Sequence, residues 1–555
     1  MNFQIIDECT RVLASRDVLW RCGSIEPRRN EQQRADLMLR FADRAWLRSP
    51  EGADLIEAFR SHPATSVVER QRSALLLRFD DATLTGLEQR LASGEPAGMD
   101  TMDALAGQTF AVSFVGPNTN KALHVGHLRN VVLGQALVSG LKAAGAKVQC
   151  RSLVGDIGRR ACEAMGGYLT EYPGEDPTAS GLVEDRFVED CSRAYARHHA
   201  DPAARQRPSS PQETEVPGDL ADDIMKSWCA GARPTRGLWE RMRGWTLAGH
   251  ERTLARLGVH IDAYDFESDG IARAQELIAM GLEQGCFERE ASGAVLRRTG
   301  RPEYATMVVL NQDGAPTECG RLVGTIDTLL SGLGPDVSYV EVVGDEWHPA
   351  QSAIDDVLML LSEGVRSSNW ERVWYGLVTV EGKKMGSSTG EVFWIDDMLD
   401  ELAAGPSVSE LYERAGATVS REVLADTIVR GTFLCSPVAR PLEFNFERLL
   451  ERRAGPGWTI AEAWCHVCHP ASAVATASTA RAGVVLSQHY ESALLKAVSQ
   501  RDPSILAAYL LRLSEAFIAA PEPGAAAMPV LRRVLGSLGF LAGTSNDREE
   551  VPCSS

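Results

Sequence analysis

Gly116-Pro-Asn-Thr-Asn-Lys-Ala-Leu-His-Val-Gly-His-Leu-Arg129 follows the apolar run Phe110-Ala-Val-Ser-Phe-Val115. The run reads as a buried strand. Leu128–Ala144 reads as a helix ended by Gly145. His124 and His127 therefore fall at a strand-to-helix turn, where free backbone N–H groups and the positive helix end favour phosphate. Gly126, between them, lets a base or ribose approach the backbone closely. Two imidazoles placed there can bond phosphate oxygens and offset charge on a departing pyrophosphate. H-x-G-H alone is unspecific, and its place at the turn gives it weight.

Far downstream lies Gly382-Lys-Lys-Met-Gly-Ser-Ser-Thr-Gly390. A lysine pair followed by glycine and hydroxyl residues makes a cationic loop able to close over a triphosphate. By itself such a segment reads as a solvated surface loop.

The 555 residues carry a net charge of −18 and 44% hydrophobic residues, which fits a globular protein of several domains. No apolar run reaches the roughly eighteen residues of a membrane span. Met1-Asn-Phe-Gln-Ile-Ile-Asp-Glu8 lacks a basic start and an apolar signal core. The 12 cysteines are scattered without a framework, so a reducing, cytoplasmic location is expected.

Residues 1–105 read as an N-terminal α/β accessory domain. In it, Gln32–Ala45 and Gly52–Phe59 have helical spacing, Ser73–Phe79 reads as a strand, and Gly94–Gly98 as a linker. From Gln108, apolar strands at Phe110–Val115, Lys147–Val154, Ser338–Val343 and Trp374–Val380 alternate with helices such as Trp239–Leu257 and Gly270–Gln284. That alternation predicts an α/β, Rossmann-like parallel sheet. Asp201–Asp219, rich in Pro, Ser and charge, reads as a loop within an insertion. After Gly405-Pro406 the chain reads as all-helical, with Leu506, Tyr509, Leu510, Leu513 and Phe517 on one core face.

Together, and in this order, the two signatures resemble those of the class I aminoacyl-tRNA synthetases. His124-Val-Gly-His127 is similar to the histidine signature, and Lys384-Met-Gly-Ser-Ser388 to the Lys-Met-Ser-Lys-Ser signature. Pro117-Asn118, Lys121, Val154–Gly158, Leu257–Asp262, Phe266-Glu-Ser268, the Val-Val-Gly344 turn and Ile395–Glu401 resemble the arginyl-tRNA synthetase family. The similarity covers roughly Phe110 to Leu402.

The resemblance implies a catalytic domain over residues 106–404, with an insertion at about 165–300, and a helical anticodon-binding-like domain over 405–555. It also implies activation of an amino acid with ATP, accompanied by Mg2+, and transfer to tRNA, by a monomer with no membrane attachment and no resident metal. His124, His127 and Lys384 would hold the triphosphate. Gly126 and Met385 would line the nucleotide site, and Asp345 or Glu346 would bind ribose at a strand's carboxyl end. Ser387 stands where the family's signature has its second lysine, so Lys121 would substitute, with Lys383 as another candidate cation.

Asn118, Glu267, Glu318, Leu322 and Trp347 would form the amino-acid pocket, and here the chain departs from the family. Glu267 matches the family's acidic residue, which suits an arginine's forked donors. Glu318 and Leu322 stand for a tyrosine and an aspartate, Ser113 for an acidic residue, and Trp347 for a glutamine. These replacements leave open an alternative: a specialised paralogue from secondary metabolism that activates an arginine-like or other amino acid, for tRNA or for a non-tRNA amine or thiol. The C-terminal part adds a second departure. Glu401–Ser555 holds 14 Lys+Arg against 16 Asp+Glu, Lys496 being the only lysine, so no basic stripe for RNA stands out. Cys465-His-Val-Cys468-His469 matches a short haem-attachment pattern, but lacks the second ligand pair a zinc site needs and reads as helix residues.

Overall fold

The computed structural model describes residues 12, 22–27, 36–41, 45–92, 103–198, 219–380, 383–384, 393–415, 419–451, 455–468, 489–518 and 527–540. The N-terminal part is an antiparallel sheet of β1 (Cys22–Pro27), β2 (Leu37–Phe41), β3 (Thr65–Gln71) and β4 (Ala74–Phe79), in the order β1-β2-β4-β3. The helix expected over Gln32–Ala45 is thus corrected: within it, Leu37–Phe41 is a strand. Leu37, Leu39 and Phe41 join the main core, while Met38 packs with Ala74 and Leu76 on the other side. With Met38 buried and Arg40 alone exposed, so short a run shows little alternation, and pairing with β1 and β4 decides its form. The expected Gly52–Phe59 helix spans Pro50–Arg60, with Ser49 capping Gly52 N–H. The Gly94–Gly98 linker and residues 201–218 of the expected loop lie outside the described residues.

The chain then builds β5 (Thr109–Ser113), β6 (Lys147–Val154) and β7 (Ala263–Phe266). A small antiparallel sheet of β8 (Glu288–Arg289), β9 (Val295–Arg298) and β10 (Thr306–Leu310) follows. Next, β11 (Val337–Gly344) and β12 (Asn369–Tyr375) complete a parallel sheet ordered β12-β11-β5-β6-β7. The order reverses at β5, which pairs with β11 on one side and β6 on the other. A crevice at the carboxyl ends of such strands is where open α/β sheets bind ligands.

The strand expected over Trp374–Val380 is two strands in two sheets. β12 ends at Tyr375, and β13 (Val378–Val380) pairs instead with β14 (Lys383–Lys384) and β15 (Leu442–Phe444). Gly376 makes the break. A Cβ there would lie 2.4 Å from the Arg440 carbonyl carbon, so the chain passes too close to the C-terminal part for any side chain. β15 also corrects the all-helical expectation after Gly405. Helices supply the remainder of that part, including Arg421–Leu434, Pro456–Cys468 and Ser504–Ile518. Leu506, Tyr509, Leu510, Leu513 and Phe517 are buried core residues. Cys465 is buried on the Pro456–Cys468 helix, and His469 lies outside the described residues.

Arg129 joins the parts. Its fully buried guanidinium donates to four carbonyls: Gly376 and Arg440 at 2.7 Å, Pro437 at 2.9 Å and Val438 at 3.1 Å. Among the described residues no helix is long and apolar enough to cross a membrane.

Candidate active site

The Val125–Ala143 helix starts three residues before its expected beginning, because the two histidines cap it. His124 is the N-cap. Its Nδ1 accepts from Gly126 N–H at 3.1 Å, and His127 Nδ1 accepts from His124 N–H at 3.1 Å. Each Nδ1 is thereby an acceptor, so in a neutral ring the proton sits on Nε2. The three-residue spacing thus terminates a helix with one ring atom and leaves the other free to donate.

Burial, then Lys121, pushes His124 down to about 3, and burial holds His127 well below the ordinary histidine value. Both rings are neutral at pH 7. Lys121 Nζ lies 3.3 Å from His124 Nε2. Burial lowers its ammonium as well, against the pull of Glu189. An ammonium and an Nε2–H facing each other are two donors with no acceptor between them, an arrangement that suits an anion's oxygens.

The turn is held from the sheet side and from the insertion side. Asn130 accepts from Val115 N–H at 2.5 Å and donates to the Val342 carbonyl at 2.7 Å, so one amide ties the end of β5 to β11. It holds Val115 at φ 74°, a left-handed conformation costly for a β-branched residue. From the insertion, Glu189 accepts from Ala122 N–H at 3.1 Å and from the Trp394 indole at 3.0 Å, and pairs with Arg193 at 2.7 Å. His250 Nε2 lies 2.8 Å from the Lys121 carbonyl, and Thr246 donates to that of Thr119 at 3.2 Å.

The lysine segment reaches the same place through its flanks. Val125 N–H donates to Phe393 at 2.9 Å, and Ile395 N–H to Leu123 at 3.2 Å. β14 sets the backbone of Lys384 opposite Thr379 and that of Lys383 opposite Val380. Met385 lies outside the described residues.

A cavity of about 330 Å³ opens at the carboxyl ends of β5 and β11. It is lined by Asn118, Lys121, His124, Gly126, His127, Glu267, Glu318, Leu322, Glu346 and Trp347, so most of the residues singled out from sequence share one site. Asp345 does not line it. Glu346 does, passing over Gly344, where a Cβ would lie 2.4 Å from Glu346 Oε2. Asn118 reaches Gly155, whose Cβ would fall 2.2 Å from Asn118 Oδ1 and 3.3 Å from Glu267 Oε1.

Glu267 is buried, and its Oε2 is bonded to Arg321 Nε at 2.7 Å. Burial pushes the carboxyl up to about 7, against the pull of Arg321. Arg321 Nη1 donates to the Pro316 carbonyl at 3.0 Å, and the guanidinium lies against Gly158, at φ 142°, where a Cβ would be 2.7 Å from Nη2. Glu341, also lining the cavity, is bonded to Arg372 Nε at 2.7 Å. Arg321, Arg372, Glu189 and Asn130 were missed by sequence reasoning. They act across long separations, with no local signal beyond their being charged or polar residues in apolar surroundings.

A parallel sheet with its ligand crevice at the order reversal, and a histidine-capped helix beneath the crevice, fit the class I synthetase catalytic domain that the sequence resembles. Residues 91–197 match the model of that domain described as "tRNA synthetases class I (R), catalytic domain". The chain is similar in sequence to arginine–tRNA ligases, at 27–30% identity. It is 27% identical over 442 residues to the arginine–tRNA ligase of Treponema denticola, covering 75% of this chain and 72% of that one. To that of Amoebophilus asiaticus it is 30% identical over 311 residues, covering 53% and 50%. With the Bacteroides fragilis enzyme the match spans 58% of the relative's length. The fold is similar to that of the Thermus thermophilus arginyl-tRNA synthetase, with a TM-score of 0.67 at 20% identity over 97% of this chain and 98% of that one. The Plasmodium falciparum enzyme gives a TM-score of 0.63 at 11% identity.

Proposed function

We propose that the protein is an ATP-dependent aminoacyl-tRNA ligase of the arginyl type, acting in the cytoplasm as a monomer. The observation that carries this reading is the convergence of Lys121, His124 and His127 as donors on one wall of a cavity at the carboxyl end of β5. An amino-acid carboxylate oxygen attacks the α-phosphorus of ATP. The bond from that phosphorus to its bridging oxygen breaks, and pyrophosphate leaves with the electron pair. The Nε2–H groups and the Lys121 ammonium meet the phosphate oxygens, and Lys384 joins them from β14. These residues position groups and offset charge rather than form bonds.

Glu346 takes the ribose and Gly126 admits the nucleotide to the backbone. Mg2+ arrives with ATP. In the second step a hydroxyl of the terminal ribose of tRNA attacks the acyl carbonyl and AMP leaves. The relatives named above are all arginine–tRNA ligases, and nothing in the comparisons supports a non-tRNA acceptor.

The domains expected at 1–105, 106–404 and 405–555 would be accessory, catalytic and anticodon-binding-like parts. A pyrophosphate-exchange screen over the standard amino acids, with and without tRNA, tests the reading. Exchange with one of them supports it, and none in either arm overturns it.

A further inference from the structure

Three of the carboxylates lining the cavity differ in what they face. Glu267 is buried and already holds a guanidinium, that of Arg321, at 2.7 Å. Glu341 is buried and holds Arg372 at 2.7 Å. Glu318, the first residue of the Glu318–Gly332 helix, is exposed and has no ion-pair partner among the described residues. Leu322, one turn along the same helix, and the half-exposed indole of Trp347 line the same cavity.

Arg321 is seated rather than loosely placed. Its Nε is on Glu267, its Nη1 on the Pro316 carbonyl, and its plane lies against a glycine that leaves no room for a Cβ. A second guanidinium bidentate on Glu267 would have to share Oε2 with Arg321 or displace it, and displacement leaves a buried cation without its partner, which costs several-fold to many-fold in affinity.

We propose that this chain reads its amino acid's side-chain cation with Glu318, Arg321 being a built-in guanidinium that occupies Glu267. The substrate class is a long-chain cationic α-amino acid. Its aliphatic stem packs on Leu322 and Trp347, and its positive end meets Glu318. The inference rests on the amino-acid-activating reading above, and deepens it by naming the specificity-determining residue. Glu267 and Arg321 then become one structural pair supporting the pocket wall.

The test is calorimetric titration of the full chain with L-arginine, L-lysine and L-citrulline, the last being a neutral isostere of arginine. The wild-type protein should bind one of the cationic amino acids at least about tenfold more tightly than citrulline, as a retained charge partner requires. Glu318→Gln should bring that ratio close to one. Glu267→Gln alone strands Arg321 and can unfold the wall, so it is made together with Arg321→Met. That double variant, its fold checked by circular dichroism, should keep the wild-type ratio.

The proposal is overturned if the wild-type protein shows no preference or binds neither cation, if the preference survives Glu318→Gln, or if it collapses in the double variant. Because binding is read without ATP turnover, these outcomes are separate from a failure of pyrophosphate exchange. A negative exchange screen would sink the activation reading while leaving the binding ratios measurable.

Discussion

Lys121 Nζ and His124 Nε2 face each other at 3.3 Å across the mouth of the helix that His124 caps. One is an ammonium. The other carries its proton because the opposite ring nitrogen is committed to Gly126 N–H. Structure and chemistry therefore divide a single imidazole between them, and substitutions can separate the two roles.

His124→Asn should do so. Asparagine is a good N-cap, so at pH 7.5 stability should stay within about 0.5 kcal/mol of wild type. The Nε2 donor is lost, and adenylate formation should slow by roughly 1–4 kcal/mol of barrier. Urea unfolding together with single-turnover activation checks both halves. A variant that is active, or one that is unstable, contradicts the division.

The same substitution changes the acid response. His124 titrates near 3 in the folded protein, against an ordinary value of 6.5. Between those values the unfolded chain takes up a proton that the folded chain does not. The stability contribution is therefore complete above pH 6.5 and is lost as pH falls through that window. At pH 5 the loss amounts to about 2 kcal/mol. His124→Asn should be spared it, so wild type minus variant stability should shift by that amount between pH 7.5 and pH 5. Glu267 and Asp185, whose carboxyls burial raises to about 7 and about 6, slope the other way but are present in both proteins and cancel. An unchanged difference, from urea unfolding at the two pH values, contradicts a buried neutral ring.

Lys121 is held in the cavity wall beside His124, whereas Lys383 is known only as a β14 backbone pair of Val380. Lys121→Ala should therefore slow activation at saturating ATP more than Lys383→Ala does. The reverse order makes Lys383 on β14 the compensating cation.

How much of this was legible in the sequence depended on range. The Phe110–Val115 run and the H-x-G-H turn carried the strand, the helix and the donors, because capping and periodicity are local. The helix start was misplaced because histidine is not among the usual N-cap residues. Leu37–Phe41 was misread because four of its five residues are buried and Arg40 alone is exposed, which leaves little alternation. Trp374–Val380 was misread because Gly376 breaks it against Arg440, far away in the chain. Glu267 was found, but its occupant was not. Arg321 sits 54 residues on, and only the fold shows that it points at that carboxylate. Arg129 ends the quoted segment, yet its four carbonyl partners lie some 250 to 310 positions downstream.

Arg129→Leu should consequently disturb the seam between the catalytic sheet and the C-terminal helices. It strands four carbonyls of residues 376 and 437–440 and removes a buried charge. The loss should be about 3 kcal/mol or more in chemical unfolding. A shift under 1 kcal/mol would show that water replaces the guanidinium without penalty.

The central claim is that the donors at the end of β5 activate an amino acid with ATP. The most direct measurement is exchange of labelled pyrophosphate into ATP by the full chain with a cationic amino acid and tRNA, comparing wild type with His127→Ala and Lys384→Ala. The account predicts exchange in the wild type and a fall of at least about tenfold in each variant. Exchange at the wild-type rate in both variants would contradict it.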